Sequence, residues 1–159
     1  MGSSRPVTPD DRGASGPGDT AAPLVAPVRR VLLAGCDGVV ARARDVTREA
    51  LYDWGWLPAR TPQARARAED ALLVVSELVT NACLHAGGAQ ELRLRGRPGL
   101  LRLEVTDTSP APPTPRTPHQ GSRPGGHGMY IVQRLCSRWG TVHHPEGHGK
   151  TVWAEITGA

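Results

Sequence analysis

A single helical segment near the middle of the chain restricts the fold more than any other part of the sequence. Residues 71–85 read ALLVVSELVTNACLH, which is apolar on nearly every side of a helix. A helix with so little polar surface is typically packed between other elements. Glu77 and Asn81 interrupt the apolar surface, and their spacing of four residues places them on the same helix face.

These two polar residues have two interpretations. A buried carboxylate is costly unless it finds partners. Glu77 and Asn81 therefore either satisfy each other and the neighbouring backbone, or serve one bound ligand together. The helix by itself does not decide between the two, and the decision depends on the other motifs.

The chain is expected to hold one domain behind a polar tail. Its 159 residues suffice for one two-layer core but not for two independent cores. Residues 1–27 are rich in Gly, Pro, Ser, Asp and Thr, and their contacts would not offset the entropy lost on ordering. We therefore predict a disordered tail over residues 1–27 and a folded domain over residues 28–159.

The hydrophobic periodicity of the domain predicts helices interleaved with mostly antiparallel strands. Such an order is typical of an α+β two-layer sandwich, with a mixed sheet and helices on one face. Period-two alternation and helical spacing place strands at 28–34, 92–95, 101–105, 141–144 and 150–157, and helices from Gly38 to about Trp54, from about Gln63 onwards, and from Gly128 to about Arg138.

Three further features point to a ligand. By strand parity Asp107 shares the core side with Leu101 and Leu103, so it either caps the following turn or accepts a hydrogen bond from the amino group of a base. Residues 108–125 are proline-rich and without periodicity, as lids and binding loops often are. Glycines 125, 126 and 128 then open a helix, where backbone N–H groups and the helix dipole favour phosphate, although glycine also simply starts helices.

Composition excludes several classes of protein. The net charge is +4, but the arginines are scattered, so nucleic-acid binding is not implied and the charge could instead attract an anionic ligand or an acidic partner. Three widely spaced cysteines form neither a disulfide framework nor a zinc pattern. Histidines 143, 144 and 148 lack a fourth metal ligand at a sensible spacing. No signal peptide or membrane span is evident, so a soluble cytoplasmic protein is expected.

Four motifs in order resemble those of the GHKL superfamily, whose members have the Bergerat ATP-binding fold. They are similar above all to the actinobacterial branch related to anti-sigma-factor serine kinases, over about residues 28–157. The motifs are ELVTNA at 77–82 with HAG at 85–87, DTSP at 107–110, GHGMYIV at 126–132 and GKTVW at 149–153.

The resemblance implies that ATP lies between the helices and the sheet. Asn81 would hold Mg²⁺ against the phosphates, and Asp107 would bind the adenine amino group. Glu77 would act as general base towards a serine hydroxyl on a partner. The further nucleotide contacts implied beneath a lid of residues 108–125 are His85, Gly126, Gly128, Met129 and Thr151.

The function implied is a serine/threonine kinase that sequesters a sigma factor and phosphorylates an anti-anti-sigma (STAS-type) protein. The alternative is a non-catalytic module that binds ATP as a regulatory ligand. Whether the chain forms a homodimer is left open by the resemblance. No direct contact with nucleic acid or membrane is expected. Arg116 or Arg123 could reach the transferred phosphoryl group, although a solvated loop charge is the commoner role of such a residue.

The chain departs from the family pattern in two places. Ser109 and Ala111 stand where the family has glycines after the aspartate, which would reduce close backbone approach to adenine. Simple alternation also groups Thr151 with Trp153 and Glu155, on the opposite side from the core residues of its strand. A bulge before Thr151 would be needed to turn it towards the nucleotide.

Overall fold

Five strands and three helices make up the part of the chain that the computed structural model describes, which is residues 27–34, 37–85, 88–108, 128–145 and 148–158. In chain order the elements are β1 (Val28–Leu32), α1 (Val39–Asp53), α2 (Pro62–His85), β2 (Ala89–Arg97), β3 (Leu100–Asp107), α3 (Gly128–Leu135), β4 (Arg138–His143) and β5 (Lys150–Thr157). The expected tail up to residue 26 and the lid from residue 109 lie outside these ranges.

The strands form one open sheet in the order β1-β2-β3-β5-β4. Every neighbouring pair of these strands is antiparallel. Burial alternates along β3, where Leu101, Leu103 and Val105 are buried while Arg102 and Glu104 face the other side. Helix α1 contacts β1 and β2, and α2 contacts β2, β3 and β5. The helices thus cover one face of the sheet, and the predicted α+β two-layer sandwich is confirmed.

Helix α2 supplies the centre of the core. It packs against α1 and α3 as well as against the sheet, which confirms that it lies between other elements. Its Val74, Val75, Leu78 and Val79 are at most 2% exposed, and each such burial contributes about 1.5–3 kcal/mol. Leu73 and Leu84 are exposed, however, so one edge of the helix faces outwards.

The last helix is shorter than the sequence predicts. The expectation of a helix to about Arg138 is wrong, because α3 ends at Leu135 and Arg138 already begins β4. The backbone N–H of Cys136 still donates to the carbonyl of Val132 at 3.0 Å, whereas that of Ser137 donates to Glu155 at 2.9 Å. Pairing with β5 therefore replaces the helical hydrogen bonds, and the apolar spacing up to Trp139 fits the strand as well as a helix.

The sequence is expected to contain no membrane-spanning segment. Of the helices in the described part of the chain, none combines the length and apolar composition that crossing a bilayer requires.

Candidate functional site

A buried ion pair lies at the end of β3. The Nζ of Lys150 donates a hydrogen bond to Oδ1 of Asp107 at 3.0 Å. The two side chains are only 4% and 2% exposed, respectively. They come from paired positions of β3 and β5, on the face that the helices cover. The carboxylate that the sequence places on the core side is thus buried and balanced by a cation that sequence reasoning missed.

A glycine fixes this pair in place. Gly149 has a φ of 99°, and a Cβ at this position would overlap the carbonyl oxygen of Asp107 and lie 2.8 Å from the Cα of Thr108. The carbonyl of Gly149 accepts a hydrogen bond from the backbone N–H of His144 at 2.9 Å. Because no side chain fits here, the turn before β5 lies directly against the end of β3. Lys150 is consequently held beside Asp107.

The last turns of α2 reach the same end of the sheet. The carbonyl of Ala82 accepts a hydrogen bond from the backbone N–H of Gly88 at 3.1 Å, and the next residue, Ala89, pairs with Asp107 across β2 and β3. Asn81 precedes Ala82 and is buried, with 8% of its surface exposed. The buried amide and the buried carboxylate therefore belong to the same end of the fold.

Glu77 lies one turn before Asn81 on the same helix and is half-buried. It takes part in at least one polar, ionic or ring interaction. Its partial exposure differs from the burial of Asn81, so the two residues of the shared face meet different surroundings. A half-buried carboxylate can contact both a bound ligand and a group that arrives from solvent.

Helix α3 begins at Gly128, and Met129 in its first turn is 3% exposed and belongs to the hydrophobic core. The helix packs against α2. The backbone N–H groups of a first helical turn have no partners within the helix, which suits them to anions. Gly126 lies outside the described residues, as do Arg116 and Arg123 of the expected lid. His85 is the last residue of α2, and its side chain is not among those described.

Thr151 is not brought together with Asp107. Its hydroxyl lies 2.9 Å from that of Thr106 and 2.9 Å from Nε2 of His144. The register of β3 and β5 runs without a shift from Thr106 to Leu100, so no bulge turns Thr151 inwards. Thr151 stays on the face away from the helices, as simple strand alternation indicates. The same alternation puts Lys150 on the core face, and this was the signal that could have identified it.

Cys136 and the pair of Arg30 and Glu91, none of which is a candidate site residue, have shifted pKa values. Burial, with a smaller effect from the charge of Asp70, raises the pKa of the Cys136 thiol to about 12, so this thiol is protonated at neutral pH. The guanidinium of Arg30 makes two 2.9 Å hydrogen bonds to Glu91 and lowers the pKa of that carboxyl. Within the described ranges, His, Cys, Asp and Glu side chains form no group of three able to hold a metal ion.

The fold and this site together match the arrangement that the resemblance to ATP-binding domains implies: a two-layer sandwich with a buried carboxylate at the end of a sheet strand, beside a helix carrying glutamate and asparagine. The chain belongs to the family of the histidine kinase-like ATPase domain, whose family model matches residues 37–156. The superfamily predicted from the four motifs is therefore confirmed, and family membership implies the use of ATP.

The solved structures that are similar to this chain include a histidine kinase domain. No curated protein matches the chain. The chain is similar to the histidine kinase domain of the Erythrobacter litoralis EL346 blue-light activated histidine kinase, at 21% identity and a TM-score of 0.43. The match covers 74% of this chain and 60% of that chain.

Proposed function

We propose that this protein is an ATP-dependent serine/threonine kinase of the anti-sigma-factor type. The observation that carries the proposal is the placement of the buried Asp107 and Asn81 at one end of the sheet, with Glu77 half-buried on the helix face of Asn81. In this set, Asp107 is the group for the adenine base, Asn81 is the group for the phosphates, and Glu77 is the carboxylate for proton transfer. The similarity of the four motifs to anti-sigma-factor serine kinases supports the choice of substrate.

Asp107 binds the adenine in this proposal. As one half of an ion pair its carboxylate is ionised, and an ionised carboxylate only accepts hydrogen bonds. The exocyclic amino group of adenine is a donor, so donor and acceptor match. Lys150 compensates the carboxylate for its lost hydration, which allows Asp107 to remain buried when no nucleotide is bound.

Asn81 is the residue proposed to hold Mg²⁺. An amide oxygen is a hard oxygen ligand of the kind that Mg²⁺ prefers, so the residue present fits the ion. When bound, Mg²⁺ would neutralise charge on the phosphate oxygens. The backbone N–H groups at Gly128 and Met129 are proposed to hydrogen-bond the phosphates, since they begin α3.

Glu77 is the proposed general base. It accepts the proton of a serine or threonine hydroxyl on the partner as that oxygen attacks the γ-phosphorus. A bond forms between the hydroxyl oxygen and phosphorus, and the bond from phosphorus to the β–γ bridging oxygen breaks, which releases ADP. The partial exposure of Glu77 supports this role, because the hydroxyl has to arrive from outside the domain.

The proposed partners are a STAS-type anti-anti-sigma protein, which is phosphorylated, and a sigma factor, which is sequestered until the unphosphorylated anti-anti-sigma protein competes for the kinase. The motif similarity supports both partners, and the net charge of +4 favours approach by acidic ones. A reducing cytoplasm is the proposed compartment, which is consistent with the free thiols of Cys83 and Cys136.

Single-turnover transfer from labelled ATP to an anti-anti-sigma domain tests this function. The parent should form phosphoserine or phosphothreonine, and Glu77→Gln should slow the transfer by about 10²- to 10⁴-fold, the range that general-base catalysis typically contributes. Glu69→Gln is the matched control, because Glu69 is an exposed carboxylate on the same helix. Nucleotide binding without any transfer by the parent would instead identify a non-catalytic ATP-binding regulatory module.

A further inference from the structure

A cavity of about 460 Å³ lies at the end of the sheet opposite to Asp107. The turn between β2 and β3, the segment after α1, the beginning of α2 and the end of β5 all contribute to its walls. Asp107 lies at the other end of β3, beside Ala89 and Lys150. The cavity is therefore separate from the nucleotide site proposed above. Its walls include Trp54, Trp56, Arg67, Arg97, Pro98 and Gly158.

The walls of this cavity are held by close packing and by backbone hydrogen bonds. A Cβ at Gly96 would lie 2.6 Å from the ring of Trp54, so the ring rests directly on the strand backbone. The backbone N–H groups of Trp56 and Leu57 both donate to the carbonyl of Leu51, at 2.8 and 3.1 Å. The backbone N–H of Gly158 donates to the carbonyl of Gly99 at 2.7 Å, which ties the end of β5 to the turn.

The residues that line the cavity indicate which class of small molecule it could bind. Trp54 and Trp56 are half-buried and line the cavity. The guanidinium carbon of Arg29 lies 5.8 Å from the centroid of the Trp54 ring, so a cation already contacts this aromatic wall. The side chain of Arg97 makes no hydrogen bond or ion pair with any residue that the structure describes, and that of Arg67 pairs only with Asp70 on its own helix, at 3.4 Å. Among the residues that the structure describes, none with a carboxylate side chain lines the cavity. A lining that contains both tryptophans and arginines suits a molecule with an apolar body and an anionic group.

We propose that this cavity binds a small organic acid with a planar apolar body, such as an aromatic carboxylate. Its volume lies within the range of about 300–1,000 Å³ that is usual for small-molecule sites, and such sites combine an apolar lining with a few polar groups. Because the two sites lie at opposite ends of the sheet, the acid and ATP bind at the same time. The proposal does not depend on kinase activity.

Titration of the full chain with 2-naphthoate, followed by the indole N–H signals of its tryptophans in NMR spectra, tests the proposal. Saturable shifts at Trp54 and Trp56 are expected, with a Kd tighter than about 1 mM. Trp139 and Trp153 lie elsewhere in the sheet and serve as internal controls. The shifts should persist in saturating ATP and Mg²⁺. Shifts confined to Trp139 or Trp153, displacement by ATP, or no saturable shift at all would overturn the proposal.

Charge recognition is tested with a neutral probe and two variants. Neutral 2-naphthamide, which keeps the ring system, should bind at least about tenfold more weakly than 2-naphthoate, and Arg97→Gln should weaken naphthoate to a similar extent. Arg42→Gln removes the same charge from an exposed position on α1 and should leave binding unchanged. If 2-naphthoate and 2-naphthamide bind with equal affinity, or if Arg97→Gln and Arg42→Gln weaken naphthoate binding equally, Arg97 does not recognise the anion.

Discussion

Replacing Lys150 with methionine should destabilise the domain strongly, because Asp107 would lose the cation beside it. The two side chains are 4% and 2% exposed, and 3.0 Å separates Nζ from Oδ1. At an effective dielectric constant of about 20, the Coulomb attraction at this distance is about 5 kcal/mol. Removing one partner of a buried pair typically costs about 3–5 kcal/mol, because the other charge stays buried without it.

We expect Lys150→Met to lower the free energy of unfolding by about 3 kcal/mol or more. The double variant Asp107→Leu/Lys150→Met should recover most of this loss, since apolar residues in place of both charges are often neutral for stability. The matched control is Arg48→Met, which breaks an exposed pair with Asp45 at 3.3 Å. An exposed pair contributes about 0–1 kcal/mol, so this change should be small.

Urea denaturation at pH 7 measures these differences, at low and at high ionic strength. Salt should reduce the effect of Arg48→Met and barely alter that of Lys150→Met, because a buried pair is screened much less than an exposed one. A loss below about 1 kcal/mol for Lys150→Met, close to the exposed control, would refute the buried ion pair. A double variant as unstable as Lys150→Met would show that lost packing, not lost charge, causes the effect.

The remaining predictions concern the helix α2 and the opposite face of the sheet. Asn81→Ala should weaken Mg²⁺-dependent ATP affinity by about 10- to 100-fold, measured by calorimetry with and without Mg²⁺, whereas an equal loss in both conditions would contradict a metal-binding role. Glu91→Gln should destabilise the domain at pH 7, and by less at pH 3. The hydrogen bonds from Arg30 lower the pKa of Glu91 in the folded protein. The pair therefore stabilises the fold at pH values above the pKa of Glu91 in the unfolded chain, which is about 4.3, and this stabilisation is lost as the pH falls through the folded-state pKa. Urea titrations of parent and variant at both pH values check this, and a constant difference would contradict it.

The sequence allowed the central helix and the hairpin of β2 and β3 to be predicted, because their periodicity is set by burial within single elements. Helical spacing identified α2, and alternation placed Asp107 on the core side. The end of α3 could not be found in this way, since the hydrogen bond from Ser137 to Glu155 depends on a strand 18 residues further along the chain.

The site was predicted less completely than the fold. Motif similarity drew attention to Thr151, whereas strand parity correctly kept it on the face away from the helices. Lys150 was missed because a lysine at the start of a strand looks like a solvated residue until its register against Asp107 is known. The cavity beside Trp54 and Trp56 was likewise not predicted, because segments distant in sequence form its walls.

The claim that Asp107 binds the amino group of adenine is central to the account, and it is tested most directly by comparing ATP with purine riboside triphosphate, which lacks that group. Calorimetry on the parent should show ATP binding about 10- to 100-fold more tightly, as expected for a hydrogen bond to a charged group worth about 1.5–3 kcal/mol. The folded Asp107→Leu/Lys150→Met variant should bind both nucleotides equally. Equal affinities in the parent, or undiminished discrimination in the double variant, would contradict the account.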